Sequence, residues 1–331
     1  MDDNRGMDRN RRVLAAVPTT GLGLEIGPSY NPIAAKSAGF DVRTMDHASR
    51  ADLVEKYSRI GLPAEQLDRI EDVDFIWTGQ PLTEAVDTGE RFDYIIASHV
   101  IEHTVDPIGF LNECSQLLTD DGVICLVVPD KRFCFDHFRP LSSPGQLVEA
   151  HLFPRPVHGP ASFVDTHLLT VRRDGTENTW TRATADGIGL VPCPWETVGD
   201  TVSYVIPQDT YIDIHRWTFT PASFRLLAHD LAGLGYLQVA VADVSDSHGY
   251  EFFATLRRGS SARPFDIASP QRWQMLMAVQ ADLHAGELQP GAQRVAKWRH
   301  PRANARRVAG RAKRKVRAWR SSAGSEKRDQ A

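Results

Sequence analysis

Cysteine is scarce in this chain: there are four in 331 residues, Cys114, Cys125, Cys134 and Cys193. No two form a C-x-x-C pair and their spacing matches no disulfide framework, so reduced thiols in a cytoplasmic protein are the simplest reading. Long apolar runs are missing as well. No stretch reaches the roughly 18 residues needed to span a bilayer, and the opening Met1-Asp2-Asp3-Asn4-Arg5-Gly6 is polar and acidic, which indicates neither secretion nor a membrane span. A large net charge is absent too, but the formal value of −4 hides a division. From Arg294 onward 14 Lys and Arg stand against two acids, whereas residues 1–293 hold 24 bases and 40 acids. An acidic body argues against nucleic acid as the main substrate, while the basic end suits a polyanionic surface.

What the chain does have is an alternation of short apolar runs and helical stretches, with a 42% hydrophobic composition that allows a substantial core. Strands are expected at 22–26, 42–46, 73–77, 94–97 and 123–128, with helices between them at 48–57, 63–70 and 107–118. The last helix is the best specified: Asp106 stands at the N-cap, Pro107 at the first position, and Ile108, Leu111, Leu117 and Leu118 supply an apolar face. This order implies an α/β fold with a mostly parallel sheet and right-handed crossovers. After Pro140 the rhythm stops. A structureless loop of that length is improbable in a compact domain, so 141–213 reads as an inserted acceptor or lid region. Thr220-Pro221 then starts a helix ended by Gly233 and Gly235, and 236–244 with 250–256 form an antiparallel terminal hairpin. The expected division is a polar tail over 1–18, a core of 19–140 and 214–260, the insertion, a helical segment over 261–293 and a basic tail over 294–331.

Two strands end in carboxylates, Glu25 and Asp46, where an α/β sheet holds a nucleotide-like ligand beyond its strand ends. A third acid, Asp93, opens the run Asp93-Tyr94-Ile95-Ile96-Ala97. A dinucleotide brings its pyrophosphate to the first strand end, where a carboxylate repels it. S-adenosylmethionine has no phosphate and carries a cationic sulfonium and ammonium instead, so the first acid favours a methyl donor.

Leu24-Glu25-Ile26-Gly27, Asp46, the run from Phe92 through Ser98-His99-Val100-Ile101-Glu102-His103, and Leu117-Leu118-Thr119-Asp120-Asp121-Gly122-Val123 together resemble the motifs of class I S-adenosylmethionine-dependent methyltransferases, over roughly 19–140 and 216–258. The likeness extends to methyltransferases of bacterial polysaccharide-assembly loci. It implies a Rossmann-like seven-stranded sheet with its last strand antiparallel, S-adenosylmethionine as cofactor, and methyl transfer to an oxygen or nitrogen of a small-molecule or glycan-like acceptor. Carried over to this sequence, it implies that Glu25, Gly27 and Pro28 line the methionine end and that Asp46, with His47 beside it, accepts the ribose hydroxyls. Asp74 and Phe75 would meet the adenine, and Ser98 and His99 would lie beneath the donor methyl. The first loop departs from E/D-x-G-x-G-x-G: Glu25-Ile26-Gly27-Pro28-Ser29-Tyr30-Asn31-Pro32 keeps only the first glycine, and its prolines leave fewer N–H groups for a carboxylate.

Methyl transfer is an in-line displacement, for which a protein mainly aligns donor and acceptor. An acceptor hydroxyl must also lose a proton, which suits histidine and makes His103 the first candidate, with His99 and His137 beside it. His99-Val100-Ile101-Glu102-His103 also spells the H-x-x-E-H zinc signature, but that chemistry needs both histidines on one helical face and the helix begins only at Asp106-Pro107. No metal is expected there, nor at His151, His158, His167 and Asp165, whose spacing matches no ligand pattern. Two other readings stand beside the methyltransferase. In a Rossmann-type NAD-dependent oxidoreductase, 13–17 is the first strand and Gly21-Leu22-Gly23 with Gly27 the phosphate turn, a scheme that Pro28, Pro32 and Glu25 oppose. In a non-catalytic module, the fold only presents its basic tail. There Val308, Ala312, Val316 and Trp319 recur at helical spacing among Arg and Lys, so 304–320 reads as a basic amphipathic stripe suited to the anionic inner face of a membrane. RNA binding and the lack of any specific partner are its alternatives.

Overall fold

The computed structural model describes residues 3–205, 211–259 and 265–287; the basic tail with its 304–320 stripe lies outside the described residues. The first part of the chain runs α1 Asp3–Ala15, β1 Gly23–Ile26, β2 Val42–Asp46, α2 Arg50–Arg59, α3 Ala64–Leu67, β3 Phe75–Ile76, α4 Leu82–Ala85, β4 Phe92–Ser98, α5 Pro107–Leu117 and β5 Leu118–Pro129. The inserted region carries α6 Pro144–Leu152, α7 Pro160–Leu169, β6 Val171–Arg173, β7 Ile188–Leu190 and α8 Trp195–Val205. The chain then continues through α9 Pro221–Gly233, β8 Val239–Val244, β9 Glu251–Arg258 and α10 Pro270–Ala285.

Seven strands form one sheet in the order β3-β2-β1-β4-β5-β9-β8, and β6 pairs with β7 in a separate antiparallel hairpin. β1 lies parallel to both β2 and β4, with Ile26 opposite Met45 on one side and Ala97 on the other. The strand order reverses at β1, which opens a crevice at the carboxyl ends of β1 and β4. β9 runs antiparallel to β5 and β8. This is a Rossmann-like α/β sheet, mostly parallel, closed by an antiparallel hairpin.

Both faces of the sheet are covered, which is why its central strands read as continuous apolar runs. Along β4, Tyr94 and Ile96 face one way with Val123, Cys125 and Val127, packed against Val13 and Val17. Ile95 and Ala97 face the other way with Leu24, Ile26, Ile124 and Leu126, packed against Phe110 and Leu111 of α5 and Phe224 and Leu227 of α9. Each large side chain so buried contributes about 1.5–3 kcal/mol. Gly23 is required where it stands, because a Cβ there would lie 2.1 Å from the Tyr94 ring. Asp93 sits at the amino end of β4, opposite the crevice, where it accepts the Leu22 N–H at 2.9 Å and the Thr119 hydroxyl at 3.1 Å.

Three local expectations change. Residues 1–18 are not a polar tail: α1 occupies most of them and Val13 is fully buried. The same helix removes the first strand that an NAD-dependent oxidoreductase would need at 13–17. β3 shrinks to Phe75–Ile76, since an edge strand has one neighbour and only Met45 and Asp46 pair with it. β5 begins at Leu118, because Asp120-Asp121-Gly122 bulges within the strand instead of turning into it. Among the described residues no helix is long and apolar enough to cross a membrane, and all four cysteines are free.

Candidate active site

β1 ends at Ile26, and Gly27 turns the chain with φ 68°, a conformation that side chains disfavour. A Cβ on Gly27 would come 3.2 Å from Val100 Cγ2, so the backbone passes close beneath the end of β4. The loop after it is held from two sides. Glu25, 2% exposed, accepts the N–H groups of Ile33 at 2.7 Å and Ala34 at 2.9 Å. Burial pushes its carboxyl up to about 7, against the pull of those two donors. Asp46, also buried, accepts the Ser29 N–H on Oδ2 at 3.1 Å. Its Oδ1 accepts the His47 N–H at 2.7 Å and stands 2.6 Å from the His47 ring Nδ1.

A second group of charges gathers where β4 ends. His99 has φ 55°, and Ile101–His103 form a single 3-10 turn, so His99 and His103 do not share a helical face. The His99 ring lies between two acids, Nε2 at 2.8 Å from Glu251 Oε2 and Nδ1 at 3.4 Å from Glu102 Oε1. Burial pulls this imidazole down, but the bonds to Glu102 and Glu251 and their charges outweigh it and raise it to about 9. Arg9 of α1 donates to Glu251 at 2.7 Å and to the Ser98 hydroxyl.

Glu102 is wholly buried, and apart from the long 3.4 Å contact from His99 no group among the described residues donates to its carboxylate oxygens. The Nε2 atoms of His103 and His215 each stand 3.9 Å from its Oε1. Behind each imidazole is a carboxylate: Asp213 Oδ1 lies 2.7 Å from His103 Nδ1, and Asp136 Oδ2 lies 2.5 Å from His215 Nδ1. Arg139 holds Asp136 at 2.9 Å and donates to the carbonyls of His215 and Arg216. The His103 bond pulls Asp213 down to about 2. Burial lowers His103, but Asp213 and Glu102 prevail and raise it. From the inserted region Tyr211 donates to the His103 carbonyl at 3.1 Å, and the His158 ring packs 5.1 Å from the Tyr211 ring. Burial first, then the neighbouring Arg216 charge, drives the buried His158 down to about 4, so it is neutral.

A sequence profile described as a methyltransferase domain matches residues 8–185, more than half of the chain. The chain belongs to this family. It is a class I S-adenosylmethionine-dependent methyltransferase, with S-adenosylmethionine as its cofactor. No curated protein matches the chain. Among solved structures, the CcbJ methyltransferase from Streptomyces caelestis is similar at 11% identity and a TM-score of 0.39, over 78% of this chain and 95% of that one. The N-methyltransferase NodS from Bradyrhizobium japonicum WM9 is similar at 12% identity and 0.33, over 78% and 99%. The glycopeptide N-methyltransferase MtfA, complexed with sinefungin, is similar at 11% identity and 0.37, over 76% and 94%.

The methyltransferase crevice fits its donor where a glycine leaves space that a Cβ would fill against Val100 and where the Asp46 carboxylate closes β2. Several expected residues are placed differently. Glu25, expected to line the methionine end, has both oxygens occupied by its own loop. Asp74 precedes β3 and is turned to β2, where it accepts the Thr44 N–H at 2.7 Å and pairs with Lys36 at 2.5 Å. Phe75 is buried in the core, which leaves neither Asp74 nor Phe75 free for adenine. At the end of β3, Ile76 is 48% exposed and registered opposite Asp46. His47 is beside Asp46, with Nε2 3.0 Å from Lys56 Nζ, and Pro28 follows Gly27 in the turn without an N–H. His137 donates Nδ1 to the Arg132 carbonyl at 2.8 Å and packs against Phe138 and Trp180, apart from His103.

Sequence reasoning missed Arg9, Asp213, His215 and Glu251. Arg9 meets a partner 242 residues away and His215 one 79 residues away, and no local pattern encodes such meetings. Glu102 was visible in the fourth-strand motif and in the zinc string, but neither gave it a role of its own.

Proposed function

We propose that this methyltransferase places the methyl group on an oxygen or nitrogen of a small-molecule or glycan-like acceptor bound against His103. The observation that carries this reading is the Asp213–His103 pair, a carboxylate 2.7 Å behind Nδ1 of an imidazole that keeps 24% of its side chain exposed. With its ring fixed by Asp213, His103 offers Nε2 to the proton of an acceptor hydroxyl or ammonium. Asp213, pulled down to about 2, stays ionised and stabilises the imidazolium that forms. His99, raised to about 9, already carries its proton at neutral pH and serves as a fixed positive charge between Glu102 and Glu251. His137, in its aromatic group, takes no part.

S-adenosylmethionine, when bound, supplies an electrophilic methyl group on a sulfonium. Asp46 accepts its ribose hydroxyls, Gly27 lets the backbone approach the methionine end, and Ile76 gives the adenine an apolar surface. Arg9 provides a cation for the carboxylate that Pro28 and Pro32, without N–H groups, cannot bind. Ser98 and His99 lie beneath the reacting centre. The glycan-like class follows from the resemblance to polysaccharide-assembly methyltransferases and remains analogy at the level of fold. Calorimetric titration with S-adenosylhomocysteine tests the donor half: the wild type gives a saturable heat, and its absence would overturn the reading. Release of S-adenosylhomocysteine on addition of saccharide and amine pools tests the acceptor half. His103→Ala is expected to abolish that release while S-adenosylhomocysteine still binds, and unchanged release would remove His103 from the chemistry.

A further inference from the structure

Glu102, His103 and His215 have their donor atoms within 4.8 Å of one another. Three observations set this group apart from an ordinary ion-pair network. First, the Glu102 carboxylate is fully buried, and the His99 imidazole that faces it at 3.4 Å is shared with Glu251, so one shared cation stands against two carboxylates, a costly arrangement unless a further cation meets Glu102. Second, both imidazoles turn the same atom, Nε2, toward the same Glu102 oxygen, each at 3.9 Å. Third, each imidazole has a carboxylate against its Nδ1, Asp213 at 2.7 Å and Asp136 at 2.5 Å. A carboxylate hydrogen-bonded to Nδ1, as Asp136 is to His215, fixes the tautomer that leaves the Nε2 lone pair free, the arrangement that supports metal-bound histidine, and Asp213 stands at ion-pair distance for the same role at His103. Tetrahedral ligands at about 2.0–2.1 Å from a metal lie about 3.4 Å apart, so each 3.9 Å separation from Glu102 must close by about half an ångström, and the two imidazole donor atoms, within 4.8 Å of each other, by up to about 1.4 Å.

We infer that Glu102, His103 and His215 bind a divalent transition-metal cation, with Asp213 and Asp136 as positioning residues. Two imidazoles and one carboxylate suit zinc, cobalt, iron or manganese better than magnesium or calcium. His99, held at 3.4 Å from Glu102 and already paired with Glu251, flanks the triad without completing it. The H-x-x-E-H string is thus used in an unexpected way: its last two residues join His215, from beyond the insertion, in place of its first. The inference deepens the reading of this cluster as the acceptor site. With a cation present, His103 would act as a ligand in place of a base, and an open coordination position would hold an acceptor oxygen and lower its pKa, its proton passing to solvent water.

The test uses the full chain stripped with chelator and retitrated with Zn2+ by calorimetry and with Co2+ by visible absorption. The wild type is expected to bind one ion with a ligand-field spectrum typical of nitrogen and oxygen ligands. Glu102→Gln and His215→Ala should bind at least 100-fold more weakly, and Asp213→Asn about 10-fold more weakly. S-adenosylhomocysteine titration of the same samples shows that each variant is folded. Wild-type protein that binds S-adenosylhomocysteine but no ion, or variants that bind the ion as the wild type does, would overturn the metal site and leave the methyltransferase reading intact. Ion binding without any S-adenosylhomocysteine binding would do the reverse.

Discussion

The two halves of the crevice are built in opposite ways. At the ends of β1 and β2, the carboxylates of Glu25 and Asp46 accept backbone N–H groups from at most 17 residues away, and the two together hold the loop after Gly27. At the end of β4, the buried Glu102 is faced by the imidazoles of His99, His103 and His215, and their partners come from β9, the end of the insertion and the turn after β5. A half that satisfies itself locally is suited to a constant ligand, the methyl donor. A half assembled from distant segments around a buried cluster of carboxylates and imidazoles is suited to a variable ligand and to chemistry.

The sharpest way to break this contrast is Asp46→Ala, expected to weaken S-adenosylhomocysteine by about 100-fold in calorimetry, since hydrogen bonds to a charged group contribute about 1.5–3 kcal/mol each. Asp213→Asn should leave that affinity within about twofold. Equal losses in the two variants would mean that the halves are a single site. Arg9→Ala comes next, with a loss of about tenfold in the same titration, because one charge-assisted contact to the donor is removed. An unchanged affinity would restrict Arg9 to its Glu251 and Ser98 bonds.

Glu25→Gln addresses the loop itself through stability rather than binding. The folded carboxyl, raised to about 7 from an ordinary 4.5, favours the protonated form, so its contribution is full below pH 4.5 and is lost as pH rises through 7. The amide keeps one acceptor but sets N–H against N–H at the other, a cost of about 1–3 kcal/mol at pH 5 in denaturant unfolding. That deficit should narrow by pH 8, and a deficit that instead widens with pH would show Glu25 ionised throughout. The smallest effect is expected from His137→Ala, less than about twofold on S-adenosylhomocysteine release with acceptor. A large loss there would return His137 to the reaction.

Much of the fold was legible because parallel strands buried on both faces announce themselves as apolar runs, and Asp106-Pro107 and Thr220-Pro221 mark helix starts by local chemistry. The crevice was legible as far as residues end strands: Gly27 and Asp46 are found where such residues fall. Asp74 and Phe75 misled, because a two-residue edge strand shifts which side chains pass its end. α1 was hidden by its polar composition, since Val13 is buried against the sheet with Leu14 beside it while the run of Arg, Asp and Asn before them reads as a solvent-exposed tail.

The sequence by itself determined the methyl-donor family, the order of strands, and the local loop around Gly27, because each depends on residues close together along the chain. Only the tertiary structure decided that Glu102 would be buried and that His103, His215, Asp136 and Asp213 would converge on it. Those contacts exist because the insertion returns over the strand ends, and no spacing within the chain records where a distant segment lands.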